Sequence, residues 1–265
     1  MSKVWLITGS SRGLGRELAK AVLAAGHRLV ATARKPEDLH DLVAQYGDRV
    51  RGVALDVTNP AAARAAVAAA TSAFGRLDVV VNNAGYATVN SIEDMALDDF
   101  RAQNFFGVVN VTRAALPVLR AQRDGRFIQI SSIGGRRASV GISAYQSAEF
   151  AVEGFSEALS NEVGPLGIRV TIVEPGGFRT DWAGSSMHID EIREEYQATV
   201  GSFAQAFRKN ADAARGDPAK AALPVRVSSG SLSYERSPIS FFGSARTKRA
   251  ITVLGRSVAS ESSRP

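Results

Sequence analysis

Short runs of Val, Ile and Leu, separated by segments of helical spacing, recur along most of the chain. The runs are Val4–Ile7, Arg28–Ala31, Val50–Val57, Leu77–Val81, Phe127–Ile130 and Ile168–Val173. Apolar runs that are continuous rather than alternating suit strands of a parallel sheet covered on both faces. After the first run, Leu14, Leu18, Ala21, Val22 and Ala25 share one helix face. Residues 60–74 are Ala-rich and helical, residues 93–123 contain one or two helices, and residues 143–163 predict a long helix ended by Gly164-Pro165. Strict alternation of strand and helix implies right-handed crossovers. The expected fold is α/β, a doubly wound parallel sheet in a three-layer α/β/α arrangement.

The pattern changes near Pro224. The last stretch is rich in Ser and Arg, carries Pro224, Pro238 and Pro265, and has no clear period. Residues 1–222 therefore read as one domain, with a ligand-facing loop at about 182–210, and residues 223–265 as a poorly ordered or loosely packed extension. Of the 32 Lys+Arg and 26 Asp+Glu, residues 208–265 hold 11 and 4, so the formal charge of +6 belongs to the tail and the body is nearly neutral. That distribution, without aromatic-basic interleaving, argues against a nucleic-acid partner. No apolar stretch approaches the length of a membrane span, and no leader-like segment precedes the first strand, so no membrane association and a cytoplasmic location are expected. With no Cys and only His27, His40 and His188, no metal site is expected either.

The candidate chemistry begins directly after the first strand, at Thr8-Gly9-Ser10-Ser11-Arg12-Gly13-Leu14-Gly15. Glycines at that place let the backbone turn tightly and aim helix N-terminal N–H groups at a pyrophosphate. Gly9, Ser11, Arg12, Gly13, Leu14 and Gly15 are therefore candidate cofactor contacts. The second strand ends Ala31-Thr32-Ala33-Arg34-Lys35, where a carboxylate would select NAD. Arg34, helped by Arg12, instead suits the 2′-phosphate of NADP. Asp56, followed by Val57 at the end of the third run, is placed to accept a bond from the adenine amino group.

At this point the sequence resembles the short-chain dehydrogenases/reductases, over residues 3 to roughly 222. The glycine turn matches that family's Thr-Gly-x-x-x-Gly-x-Gly, and Asn82-Asn83-Ala84-Gly85 matches its Asn-Asn-Ala-Gly. Asn104, Ser132 and Tyr145 fall where its catalytic Asn, Ser and Tyr fall. Pro175-Gly176-Gly177 and Thr180 match the segment that contacts the nicotinamide end. The resemblance implies a Rossmann-type fold, NADP(H) or NAD(H) as cofactor, carbonyl/alcohol oxidoreductase activity and a homodimer or homotetramer. It adds Asn83, Ala84, Gly85, Pro175, Gly176 and Thr180 to the cofactor contacts.

The residues make chemical sense together. Hydride transfer to a carbonyl leaves an alkoxide that must be protonated as it forms; Tyr145 would be the acid and Ser132 the donor orienting the oxygen. Asn104, a poor helix former in a helical stretch, suits a polar task such as holding a relay water. The departure comes one turn after the tyrosine. The family has Tyr-x-x-x-Lys, and this chain has Tyr145-Gln146-Ser147-Ala148-Glu149. Positions i and i+4 share a face, so Glu149 stands beside the phenol. In the family the lysine holds the nicotinamide ribose and lowers the tyrosine pKa; Glu149 is left as a candidate ribose contact of the wrong charge. At about 5 Å and an effective dielectric near 20, exchanging + for − disfavours the tyrosinate by up to about 6 kcal/mol. Impaired activity is expected, the alternative being a catalytically silent NADP(H)-binding protein with a sensing or scaffolding role.

Residues 133–141, the loop after Gly85 and the 182–207 region should line the substrate pocket, at the carboxyl ends of the strands. Val89, Val140, Trp182, Met187 and Phe203 point to a small apolar carbonyl or alcohol. The resemblance stops abruptly after Asp217-Pro218-Ala219-Lys220-Ala221-Ala222. That break suggests a change of reading frame near residue 223, checked by whether close relatives share the same frame.

Overall fold

The computed structural model describes residues 2–101, 103–177, 187–209, 216–220, 222 and 251–254. Among the described residues, seven strands form one parallel sheet: β1 (Val4–Ile7), β2 (Arg28–Ala33), β3 (Val50–Ala54), β4 (Val79–Asn82), β6 (Gly125–Ile130), β7 (Ile168–Pro175) and β9 (Ile251–Leu254). The spatial order is β3-β2-β1-β4-β6-β7-β9. The expected doubly wound α/β architecture is the one observed.

Period-two alternation distributes each strand's side chains over two apolar layers. On β1, Val4 and Leu6 pack with α3 (Pro60–Phe74), α5 (Val108–Gln122) and α6 (Ser143–Val163). Trp5 and Ile7 point the other way, onto α1 (Gly13–Ala24) and α2 (His40–Tyr46). All four are fully buried, and each large apolar side chain removed from water contributes about 1.5–3 kcal/mol. Helix limits follow local chemistry. Asn59 caps α3 by accepting from the N–H groups of Ala61 (2.9 Å) and Ala62 (3.2 Å), Pro60 opens it, and Gly75 ends it at φ +77°.

Strand order positions the site. From β1 the chain winds outward through β2 and β3, then returns to place β4 on the other side of β1. The crevice beyond the carboxyl ends of β1 and β4 is the topological switch point where ligands bind in such sheets. Two features lie outside the expected elements. Ala87–Val89 (β5) pairs in parallel with Met187–Ile189 (β8) as a separate two-stranded sheet. Within the extension, Ile251–Leu254 pairs with Ile172–Pro175 of β7; the rest of residues 223–265 lies outside the described residues. The 93–123 region divides into α4 (Leu97–Arg101), a π-helical turn (Gln103–Gly107) and α5.

Candidate active site

The glycine turn and the Asn-Asn-Ala-Gly segment meet at the switch point. Thr8 Oγ1 accepts from the N–H groups of Asn83 (2.8 Å) and Ala84 (2.9 Å), and Asn83 Nδ2 donates back to the carbonyl of Thr8 (2.9 Å). Gly9 and Gly13 have φ of +68° and +58°, a region closed to most side chains. A Cβ on Gly15 would lie 2.3 Å from the carbonyl oxygen of Gly9 and 2.4 Å from Asn83 Nδ2. Only glycine lets α1 approach this closely. The N-terminus of α1, at Arg12, has no side-chain cap, so its first N–H groups remain available to an anion. This cradle fits a pyrophosphate.

Other cofactor candidates are placed less directly. Arg34 and Lys35 are exposed immediately after β2. Asp56 is exposed, and its Oδ1 accepts from the N–H (2.9 Å) and hydroxyl (2.7 Å) of Thr58. Val57 is buried and Asn110 Nδ2 donates to its carbonyl (3.0 Å), so its role is at least partly structural. Pro175 and Gly176 stand at the end of β7. Thr180 and Trp182 lie outside the described residues.

The four catalytic candidates come together. Ser132 follows β6, and its Oγ accepts from the N–H of Gly134 (3.0 Å). Tyr145, in the first turn of α6, hydrogen-bonds to the Ser132 side chain. Gly134 permits this, because a Cβ there would meet the Tyr145 ring at 3.1 Å. Asn104 sits in the π-helical turn, a conformation that inserts a residue into a helix and re-aims its side chains. Its Oδ1 accepts from the N–H of Tyr86 (3.0 Å), and its Nδ2 donates to the Tyr86 carbonyl (2.9 Å) and to Glu149 Oε1 (3.4 Å). The side chain thus ties the segment after Gly85 to α6.

Glu149 is 5% exposed, so its carboxyl is held inside the protein beside Tyr145 and not in solvent. Burial pushes its carboxyl up to about 8; the Asn104 amide opposes that rise and the neighbouring Glu153 adds to it. Burial likewise pushes the Tyr145 phenol well above 10, Glu149 pushes it further, and the bond with Ser132 works against both.

The apolar lining expected from sequence is in part assembled. Val89, Ile142, Val200 and Ala204 form a buried cluster with Tyr145, Met187 and Phe203 packed against it. Val140 is 45% exposed instead. The loop after Gly85, expected to line the pocket, brings Tyr86 and Thr88 into a recess with Asn104 and Tyr145, without either having been singled out; Asp99, in the same recess, was missed. Tyr86 Oη and Thr88 Oγ1 each donate to Asp99 Oδ1 at 3.2 Å. Burial and then Asp99 push the Tyr86 phenol up to about 12. Also missed were Ser131, Arg136, Glu153 and Glu174; the four-residue spacing from Glu149 to Glu153 was the available signal.

A cradle for a dinucleotide beside a Ser–Tyr pair agrees with the comparison to known families: residues 3–190 match the short chain dehydrogenase family, and the chain belongs to it. It is an oxidoreductase of that family. Its similarity to "Oxidoreductase BOA17" of Botryotinia fuckeliana is 53% identity over 226 residues, 84% of this chain and 82% of the relative. A 3-ketodihydrosphingosine reductase of Bacteroides thetaiotaomicron is 38% identical over 209 residues, 78% of this chain and 75% of that one. Among solved structures, a short-chain dehydrogenase from Streptomyces avermitilis superposes with a TM-score of 0.81 at 38% identity, covering 96% of this chain and 88% of its own. A 3-ketoacyl-(acyl-carrier-protein) reductase from Brucella melitensis, complexed with NADH, gives 0.72 at 26% identity, covering 86% of this chain and 91% of that one.

Proposed function

We propose that this chain binds NADP(H) in preference to NAD(H) and interconverts a small apolar carbonyl compound and its secondary alcohol, at a rate held down by Glu149. The observation that carries the reading is the Ser132–Tyr145 hydrogen bond at the carboxyl edge of the sheet, beside the uncapped α1 N-terminus. When bound, the cofactor supplies or accepts the hydride. Ser132 and Tyr145 would hold the substrate oxygen, and the high phenol pKa keeps Tyr145 protonated, as reduction requires. Arg34 and Arg12 support the preference for a 2′-phosphate. The apolar cluster around Val89, Met187 and Phe203 supports the substrate class.

The burial of Glu149 revises the electrostatic cost. A carboxyl with a pKa of about 8 is mostly neutral at pH 7. Tyr145 then loses the help of a lysine without gaining a full negative neighbour, which halves the sequence-based figure to about 3 kcal/mol, or about two orders of magnitude in rate. The same absent cation favours a second reading, a silent NADP(H)-binding protein. Assembly into a homodimer or homotetramer is supported by Phe106 and Phe150, both 48% exposed. No helix among the described residues is long and apolar enough to cross a membrane.

The test measures NADPH oxidation over a panel of apolar ketones and aldehydes, with NADPH and NADH affinities, for this chain, Glu149→Lys and Tyr145→Phe. Glu149→Lys should raise the rate by about two orders of magnitude, and Tyr145→Phe should lower it by ~10²–10⁴-fold with NADPH binding intact. A Glu149→Lys variant slower than the parent would show that Glu149 belongs to a working relay. Binding without turnover in both the parent and Glu149→Lys would leave the silent reading.

A further inference from the structure

One cation joins three chain segments that carry site residues. Arg136 closes the 3₁₀ turn Ile133–Gly135 that follows Ser132, and its N–H donates to the Ile133 carbonyl (3.0 Å). Its guanidinium reaches α6 and β7 at once. Nε donates to Glu174 Oε1 (2.7 Å), and Nη2 meets the same oxygen (2.5 Å) and Glu153 Oε2 (3.3 Å). Glu153 lies about two turns beyond Tyr145 on α6. Glu174 directly precedes Pro175 at the carboxyl end of β7.

Both anchors are buried: Glu153 is 5% exposed and Glu174 4%, and no other ion pair reaches either carboxylate among the described residues. Such a pair is costly to break, because the partner left behind is a buried, uncompensated charge. The planar guanidinium also carries geometry. Donors fixed in one plane set the distance and direction from the turn to both carboxylates, where an ammonium would supply a point charge. The glycines of the turn have no side chains with which to hold it. They pack directly on α6, where a Cβ on Gly134 would lie 3.1 Å from the Tyr145 ring and one on Gly135 would lie 3.2 Å from the Glu149 carbonyl oxygen. The approach of Ser132 to Tyr145 therefore depends on how closely a bare backbone is held against the helix, and Arg136 is bonded to that helix at the end of the turn.

We propose that Arg136 is a positioning residue: by clamping the Ser132 turn to α6 and to the end of β7, it fixes Ser132 against Tyr145 and sets the Pro175-Gly176 segment against the nicotinamide half of the cofactor. Glu153 and Glu174 are its two anchors. The guanidinium acts through these neighbours, its Nε and Nη2 being engaged by the two carboxylates. The clamp on Ser132 stands on the bonds themselves; its effect on the nicotinamide half rests on the reading of Pro175 and Gly176 as cofactor contacts.

The test uses the full-length protein and two variants. Arg136→Lys keeps the charge without the planar fork, and Glu174→Gln keeps an acceptor without its charge. Amide hydrogen exchange followed by NMR, without ligand, reads the turn at Gly134, whose N–H donates to Ser132 Oγ (3.0 Å), and at Gly135, whose N–H donates to the Ser132 carbonyl (2.9 Å). Exchange there should quicken by about tenfold in Arg136→Lys and about threefold in Glu174→Gln, with the β1 amides unchanged. Calorimetry with NADPH, and with 2′,5′-ADP as the adenosine half alone, reads the second effect. NADPH affinity should fall by about tenfold in Arg136→Lys while 2′,5′-ADP affinity stays within about twofold. Unchanged exchange at the turn overturns the proposal, and so does exchange quickened equally in β1, which would mean that the ion pairs serve stability alone. Equal loss of both ligands, or loss of neither, overturns the hold on Pro175-Gly176. A parent that bound neither ligand would sink the cofactor reading, and the exchange result would still decide the clamp.

Discussion

Replacing Glu149 with Gln should change how stability depends on pH more than it changes stability at low pH. The Glu149 carboxyl titrates near its ordinary 4.5 when unfolded and at about 8 when folded. Between these values the native state binds more protons than the unfolded state, so stability falls as pH rises through that window and the loss is complete above about 8. A carboxyl raised in this way is stabilising to neither side of the window; it is neutral below and a buried charge above. At 1.36 kcal/mol per pH unit, the interval corresponds to about 5 kcal/mol at most, and relaxation with water entry reduces this to a few. Glutamine keeps the shape and the bond to Asn104 Nδ2 but cannot ionise. The assay is urea unfolding of parent and Glu149→Gln at a series of pH values, followed by fluorescence. The curves should nearly coincide at about pH 5 and diverge steadily to about pH 9, with the glutamine variant the more stable. Parallel stabilities across the whole range would refute the reasoning, because they would mean that Glu149 is ionised and compensated in the native state.

Two further outcomes test the cofactor cradle. Gly15→Ala places a Cβ 2.3 Å from the Gly9 carbonyl oxygen, so it should abolish dinucleotide binding by calorimetry, while the distant Trp5 core keeps the fold detectable by circular dichroism. Arg34 is exposed, which limits its contribution; Arg34→Ala should weaken NADPH binding by about tenfold and leave NADH binding unchanged. Equal losses for both cofactors would remove Arg34 from the 2′-phosphate.

What the sequence alone determined is what depends on local pattern. Continuous apolar runs marked β1, β2 and β7, because strands buried on both faces have no polar side to display. Residues 60–74 and 143–163 were legible as helices to the residue, since Asn59-Pro60 opens one and Gly164 closes the other. The glycine turn could be read because its backbone conformation admits little else, and Tyr145 and Glu149 because their spacing is a property of the helix itself.

The tertiary structure decided what depends on neighbours distant in sequence. The π-helical turn that aims Asn104 at Tyr86 and Glu149 has no local signature, and neither has the pairing of β5 with β8 across about 100 residues. Arg136, Glu153 and Glu174 look like ordinary surface charges until β6, α6 and β7 bring them together. The charge of Glu149 was the largest such difference. Its sign could be read from the letter, but whether that sign is expressed at neutral pH is set by burial, and burial belongs to the fold.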